Sequence, residues 1–266
     1  MRDDKTDQRR ERVLPLRPPW TLPGLAACQT TRRGGHGEPP YASLNLAHHV
    51  GEPQEQTAQN WLAVEADLGW GRGEIATVEQ VHGSRIVRAT TGGHRGEVRA
   101  DALISLDPGV AVGVFTADCV PLLLAATDAG GRVRGVAAAH CGWRGAAAGL
   151  AAATASELAG ASQTRTHDLR IWIGAAIGGA SYEVGPEVAE RFADIYRTRG
   201  EGDRWHLDLA EALRGELLGA GVRDEHIASC GLDTYTEPEL LFSYRRAGGS
   251  TGRMLSFIGW REPGDA

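Results

Sequence analysis

The sequence predicts an α+β fold in a single domain. Several short apolar segments (75–81, 85–90, 102–106, 110–115 and 122–126) follow one another without a helical stretch between them. A doubly wound sheet would alternate strand and helix, so strict βαβ winding is excluded. No Gly/Ser/Pro-rich linker and no repeat of solenoid period divides the chain. Its 266 residues, 42% hydrophobic and 23% charged, suffice to bury roughly 70–75% of the unfolded surface in one core.

Residues 1–19 read as a flexible N-terminal tail, because acidic residues interrupt the arginines of MRDDKTDQRRER. Residues 20–266 then form the single domain. The run RRGGHGEPP at 32–40 is a surface loop. Pro53 suits the first turn of a helix that presents Trp61, Leu62 and Leu68 on one face. Segments 75–81 and 85–90 alternate around His82-Gly83-Ser84, which predicts strand–turn–strand. Strands follow at 102–106, 110–115, 122–126 and 134–140, then an Ala-rich helix at 145–158 and a strand at 169–173. Pro186 opens a helix over 187–196, and Leu209, Leu213 and Leu217 mark another. Strands near 226–230, 240–244 and 254–260 close the chain.

With 34 acidic against 28 basic residues, the net charge is −6. That disfavours a general nucleic-acid or anionic-membrane surface, which needs clustered positive charge. The apolar region 110–126 is interrupted by Thr116, Asp118, Cys119 and Pro121, unlike a bilayer span. With no signal-like apolar stretch, a cytoplasmic location is expected. The four cysteines (28, 119, 141 and 230) follow no disulfide framework, so a special one is a ligand or nucleophile. Glycine is in excess, with 36 residues. The sequence lacks the G-x-G-x-x-G of a dinucleotide site, and GGRVRG at 130–135 lacks the Lys and Ser/Thr of a phosphate loop, reading instead as a hairpin turn. His48-His49 reads as a solvated pair, and no H-x-H pair supports a four-copper centre.

Three segments end an apolar strand on a reactive residue: Glu79-Gln80-Val81-His82-Gly83, Thr116-Ala117-Asp118-Cys119-Val120-Pro121 and Ala139-His140-Cys141-Gly142-Trp143-Arg144-Gly145. His82, Cys119 and His140 offer two imidazoles and a thiolate, a zinc donor set with a fourth position open to water. Their separations of 37 and 21 residues match no local zinc motif. The bland reading is a buried cysteine and two histidines bonded to backbone. The same residues suit a cysteine nucleophile, Cys119 activated by His140. On a strand His140 and Cys141 point to opposite faces, and the expectation is that His140 shares the site while Cys141 joins the core. Arg144 either meets an anion bidentately or forms a surface ion pair.

The motifs YASLNL (41–46), QVHG (80–83), TADCVP (116–121), HCGWRG (140–145) and YEVG (182–185), with LFSYRR (241–246) and TGR (251–253), occur in order. Together they resemble the laccase-domain family, also described as multicopper polyphenol oxidase-like or peptidoglycan-editing-factor proteins, over roughly residues 20–260. The resemblance implies mixed β-sheets packed between helices, similar to the cysteine-hydrolase-like folds of bacterial deamidase toxins. It implies zinc on His82, Cys119 and His140, with copper as the alternative metal. It also implies purine nucleoside phosphorylase activity (adenosine, inosine and methylthioadenosine with phosphate) together with adenosine deaminase activity. The chain departs from the family pattern at Cys141, where alanine is common, and at GAAIGGAS (174–181), which lacks a cysteine.

For such chemistry Asp118 is expected to shuttle a proton, Arg144 and Arg32 to clamp phosphate, and Asn45 and Gln80 to meet purine edges or ribose hydroxyls. The other readings are a cysteine-dependent amide hydrolase editing peptidoglycan precursors, a copper polyphenol oxidase, which the scarcity of histidine opposes, and a non-catalytic binding module with structural zinc.

Overall fold

The structure, a computed structural model, describes residues 11–262. Short β-branched and alanine-rich runs form its strands. The first are β1 (Pro15–Leu16), β2 (Leu25–Thr30), β3 (Ile75–Glu79), β4 (Ile86–Arg88) and β5 (Gly93–Arg99). Next come β6 (Ala102–Ser105), β7 (Ala111–Thr116), β8 (Val120–Thr127), β9 (Val133–Cys141) and β10 (Arg170–Ile173). The last are β11 (Glu183–Val184), β12 (Arg197–Arg199), β13 (Trp205–Leu207), β14 (Ile227–Ser229) and β15 (Met254–Trp260). The helices are α1 (Gln54–Leu68), α2 (Trp143–Ala147), α3 (Leu150–Ala161), α4 (Pro186–Ala189), α5 (Leu209–Gly219) and α6 (Tyr244–Ala247).

The strands build two six-stranded mixed sheets, ordered β1-β2-β15-β7-β3-β5 and β14-β10-β8-β9-β6-β4, and a small third sheet, β11-β13-β12. Strand periodicity assigns the layers. On β8, Leu123 and Ala125 pack with Val112, Val114 and Ile258 between the two large sheets. Their neighbours Val120, Leu122 and Leu124 face the other way, onto Leu150, Leu158, Leu213 and Leu217 of α3 and α5. The outer face of the first sheet, including Ile75 and Phe257, is covered by Trp61 and Val64 of α1. The expected α+β architecture, sheets between helices, is therefore present. Leu122, Leu123 and Leu124 are each fully buried, and such a side chain contributes roughly 1.5–3 kcal/mol by burial.

Several local expectations are corrected. The expected strand–turn–strand around His82 is present, but its strands part, β3 lying in the first sheet and β4 in the second. Leu62 points outward, 65% exposed, while Trp61 is buried, because adjacent helical residues diverge by about 100°. The helix expected over 145–158 breaks at Gly149, whose φ of 79° suits glycine. The helix from Pro186 ends at Ala189. Beyond it no apolar stripe continues, and Ile195 is 82% exposed. Residues 240–244 are not a strand. Leu241 and Phe242 are buried, but the Leu241 N–H donates to the Glu237 carbonyl, the Phe242 N–H donates to Met254 Sδ and the Arg246 guanidinium donates to the Leu241 carbonyl, so these groups enter no strand ladder. Strands β1, β2, β5, β11, β12 and β13 have no counterpart among the expected elements. Of the expected tail, residues 1–10 lie outside the described residues; Val13 is buried and β1 pairs with β2. Among the described residues no helix is long and apolar enough to cross a membrane.

Candidate active site at the sheet crossovers

Three times the chain leaves the first large sheet for the second: β3 to β4, β5 to β6 and β7 to β8. Each crossover carries a polar residue: His82, Asp101 and Cys119 in turn. The antiparallel register of β8 and β9 sets Pro121 opposite His140, which brings Cys119 beside that histidine. The His140 N–H donates to the Asp101 carbonyl at 2.7 Å, tying β9 to the second crossover.

His82, Cys119 and His140 thus converge, with their potential ligand atoms all within 4.8 Å of one another. The two imidazoles lie edge to face, centroids 4.7 Å apart. His140 is buried, Cys119 part-buried and His82 exposed, so the cluster opens on the His82 side. His140 and Cys141 do face opposite ways: Cys141 is fully buried in the core under α3 and α5. There burial, with the Glu216 charge, pushes its thiol well above the ordinary range.

Asp101, missed in the sequence reading, is fully buried. Its Oδ1 accepts from His140 Nδ1 at 2.8 Å and from the His82 N–H at 2.8 Å. Its Oδ2 accepts from the N–H groups of Gly83 at 2.7 Å and Val81 at 3.3 Å. His82 has a φ of 58°, a left-handed conformation that costs a non-glycine residue roughly 1 kcal/mol or more. Despite its burial, these bonds hold the Asp101 carboxyl below its ordinary range. Burial alone would push the Cys119 thiol up, but the His140 charge and hydrogen bonds from His140 and His82 pull it down to about 6. Against its own burial, His140 is raised to about 9 by the Cys119 thiolate and the bond to Asp101. Without metal the two form a thiolate–imidazolium pair.

The cluster lies in a cavity of about 550 Å³ whose wall includes His49, Phe115, Trp143, Tyr182 and Tyr244. Among the described residues lining it, three guanidinium groups (Arg144, Arg245 and Arg253) accompany one carboxylate, Asp118. Arg144 is exposed, its guanidinium 4.3 Å from the Trp143 ring centre. Burial first, and then the Cys119 charge, push the Tyr182 phenol up to about 12.

The remaining expected site residues separate. Gln80 lines the cavity, but its amide bridges to the Phe115 backbone: Nε2 donates to the carbonyl at 2.8 Å and Oε1 accepts from the N–H at 2.7 Å. Asp118 also lines it, yet Oδ1 accepts from the Thr234 hydroxyl at 2.6 Å and Oδ2 from the Arg245 N–H at 2.7 Å. Each oxygen thus holds a neighbouring segment, and Asp118 braces the cavity wall. Arg32 and Asn45 do not line the cavity. Arg32 donates to the carbonyls of Ala42 and Pro238, both at 2.7 Å. Asn45 is fully buried, its amide N–H groups donating to Glu52 and the Ala47 carbonyl and its oxygen accepting from the N–H groups of Ala47 and Arg253. The guanidiniums that do line the cavity with Arg144 belong to the segments LFSYRR and TGR, which the sequence reading quoted without a role. The signal for Asp101 was a lone acid abutting the apolar strand 102–106.

The donor chemistry fits a metal ion. A thiolate and two imidazoles suit zinc, and Asp101 on Nδ1 leaves His140 Nε2 as the free ring nitrogen. Gly142 shapes this pocket. A Cβ there would stand 3.1 Å from His82 Cδ2 and 3.2 Å from Cys119 Sγ, tighter than ordinary carbon contact. Gly142→Ala is expected to weaken binding of any metal ion held by the trio about tenfold or more with little change in Tm. A competition titration against a chromophoric chelator checks this, and unchanged affinity would mean the pocket has slack.

A sequence profile described as multi-copper polyphenol oxidoreductase laccase matches residues 26–261. The chain belongs to this family. The laccase-like family includes proteins whose names state an activity: purine nucleoside phosphorylase YfiH of Escherichia coli (strain K12) is 40% identical over 250 residues, 91% of this chain and 96% of that protein. Purine nucleoside phosphorylase of Deinococcus radiodurans is 39% identical over 240 residues, 86% and 87% of the two chains. The crystal structure of YlmD from Geobacillus stearothermophilus matches with a TM-score of 0.82 at 33% identity, covering 91% of this chain and 93% of that one. The family resemblance expected from the ordered motifs is thereby established.

Proposed function

We propose that this protein is a zinc-dependent purine nucleoside phosphorylase that cleaves adenosine, inosine and methylthioadenosine with phosphate, deaminates adenosine, and works in the cytoplasm. The observation that carries this reading is the joining of a His82–Cys119–His140 donor set to three guanidinium groups in one cavity. Close relatives named purine nucleoside phosphorylases support the substrate class. A bound zinc ion would supply Lewis acidity, polarising a substrate atom or acidifying water at neutral pH.

In phosphorolysis a phosphate oxygen forms a bond to C1′ of the ribose while the glycosidic C–N bond breaks. The bonding pair leaves on the purine, which must take up a proton. Arg144, Arg245 and Arg253 suit the holding of phosphate, and Arg144 and Arg245 are the exposed ones of the three. Tyr182 stays protonated far above neutral pH, so it suits donation of a hydrogen bond to the departing base. Asp118 holds the Arg245 backbone in place and aligns that wall. His82, Cys119 and His140 would hold the zinc, a thiolate and two imidazoles being a common donor set for that ion.

A second reading rests on the same residues without metal. Cys119, His140 and Asp101 make a nucleophile, a base and an orienting carboxylate, the constellation of a cysteine amide hydrolase. A purine nucleoside panel, incubated with and without phosphate and resolved by mass, separates the two. The phosphorylase reading expects free base and ribose 1-phosphate only with phosphate present, and inosine from adenosine. Absence of both products from zinc-loaded protein would overturn it.

A further inference from the structure

We propose that Asp101 is a positioning residue that builds the metal site by setting two of its three ligands at once; this rests on the zinc reading above. Its two carboxylate oxygens receive four hydrogen bonds in the structure, and none comes from solvent-exposed side chains. One bond, from His140 Nδ1 at 2.8 Å, requires the ring proton on Nδ1 and so turns Nε2 toward Cys119 and His82. The other three come from the backbone N–H groups of residues 81, 82 and 83. Consecutive amides converging on one anion make a nest, and at its centre His82 takes the left-handed φ of 58° that aims its ring at His140. Cys119 is set separately, by the start of β8. The fully buried carboxylate thus joins two crossovers and β9 in one polar network.

An uncharged amide cannot do both tasks. Every group aimed at Asp101 is a donor, whereas the side chain of Asp101→Asn has one accepting oxygen and one NH₂. If the oxygen keeps the Oδ1 position, the NH₂ faces the Gly83 N–H and the His82 turn loosens. If the amide flips, its NH₂ faces His140 Nδ1, which must then accept. The ring proton moves to Nε2, the nitrogen the metal needs. Either outcome spoils one ligand, and loss of such an outer partner typically weakens metal binding roughly 10–100-fold.

The test compares wild type and Asp101→Asn by zinc competition with a chromophoric chelator and by cobalt titration. Zinc affinity is expected to fall 10–100-fold. At saturating cobalt the thiolate charge-transfer band of Cys119 is expected to persist, because that ligand is set independently. Because the variant can fail to fold, long-range ¹H–¹⁵N spectra of the wild-type imidazoles supply a second reading. They are expected to show His140 protonated on Nδ1 with zinc on Nε2. An Asn variant that binds zinc within about twofold of wild type, or a wild-type His140 protonated on Nε2, would overturn the inference while leaving the metal site standing. Wild type that holds no zinc would overturn the metal reading and this inference together.

Discussion

Cys119→Ala is expected to abolish both zinc binding and nucleoside turnover, while Cys141→Ala keeps most of each. The two thiols lie 22 residues apart in sequence yet close to opposite each other across β8 and β9, where Val120 pairs with Cys141. Their environments differ completely. Cys119 faces two imidazoles and the cavity, and its thiol is drawn down to about 6. Cys141 faces only the core under α3 and α5. Removing a ligand exceeds the loss of an outer partner, so turnover should fall by more than about 100-fold. Removing the buried Cys141 sulfur should cost about 1 kcal/mol of stability. Metal content by mass spectrometry, turnover and thermal melting of the two variants decide it. Equal loss of turnover in both would mean that Cys119 has no special role.

Arg144→Gln is expected to raise the KM for phosphate roughly 10–100-fold, the effect of losing one hydrogen bond to a charged group at about 1.5–3 kcal/mol. Deamination of adenosine uses no phosphate and should change little. Arg144→Lys restores charge but not the planar fork, so it should fall between the two. Arg144 is the informative choice because its neighbours hold backbone as well: Arg245 donates to the Glu183 carbonyl at 2.9 Å and Arg253 to the Thr251 carbonyl at 2.7 Å. Steady-state kinetics with phosphate varied give the answer. An unaltered phosphate KM, or equal damage to deamination, would remove Arg144 from the phosphate site.

The convergence of His82, Cys119 and His140 was legible in sequence because each stands where an apolar strand yields to a turn, and strand parity alone separated His140 from Cys141. Asp101 was not, since its partners are backbone N–H groups and an imidazole reached only by folding. Arg32 and Arg253 looked alike as sequence. What distinguishes them is which carbonyls and walls the loops bring near: Arg32 is consumed in tying the 238 segment to the 42 segment. Asn45 is likewise committed locally, its amide oxygen accepting from the Arg253 N–H. The crossing of β3 into the second sheet as β4 was hidden because alternating segments around a short turn carry the same pattern whether they pair or part.

The most direct measurement supplies zinc-loaded protein with adenosine and ¹⁸O-labelled phosphate and weighs the sugar product. Attack of phosphate on C1′ is expected to yield ribose 1-phosphate with every phosphate oxygen labelled, and stripping the zinc should abolish it. Unlabelled free ribose, or undiminished product after the metal is removed, would contradict zinc-dependent phosphorolysis at His82, Cys119 and His140.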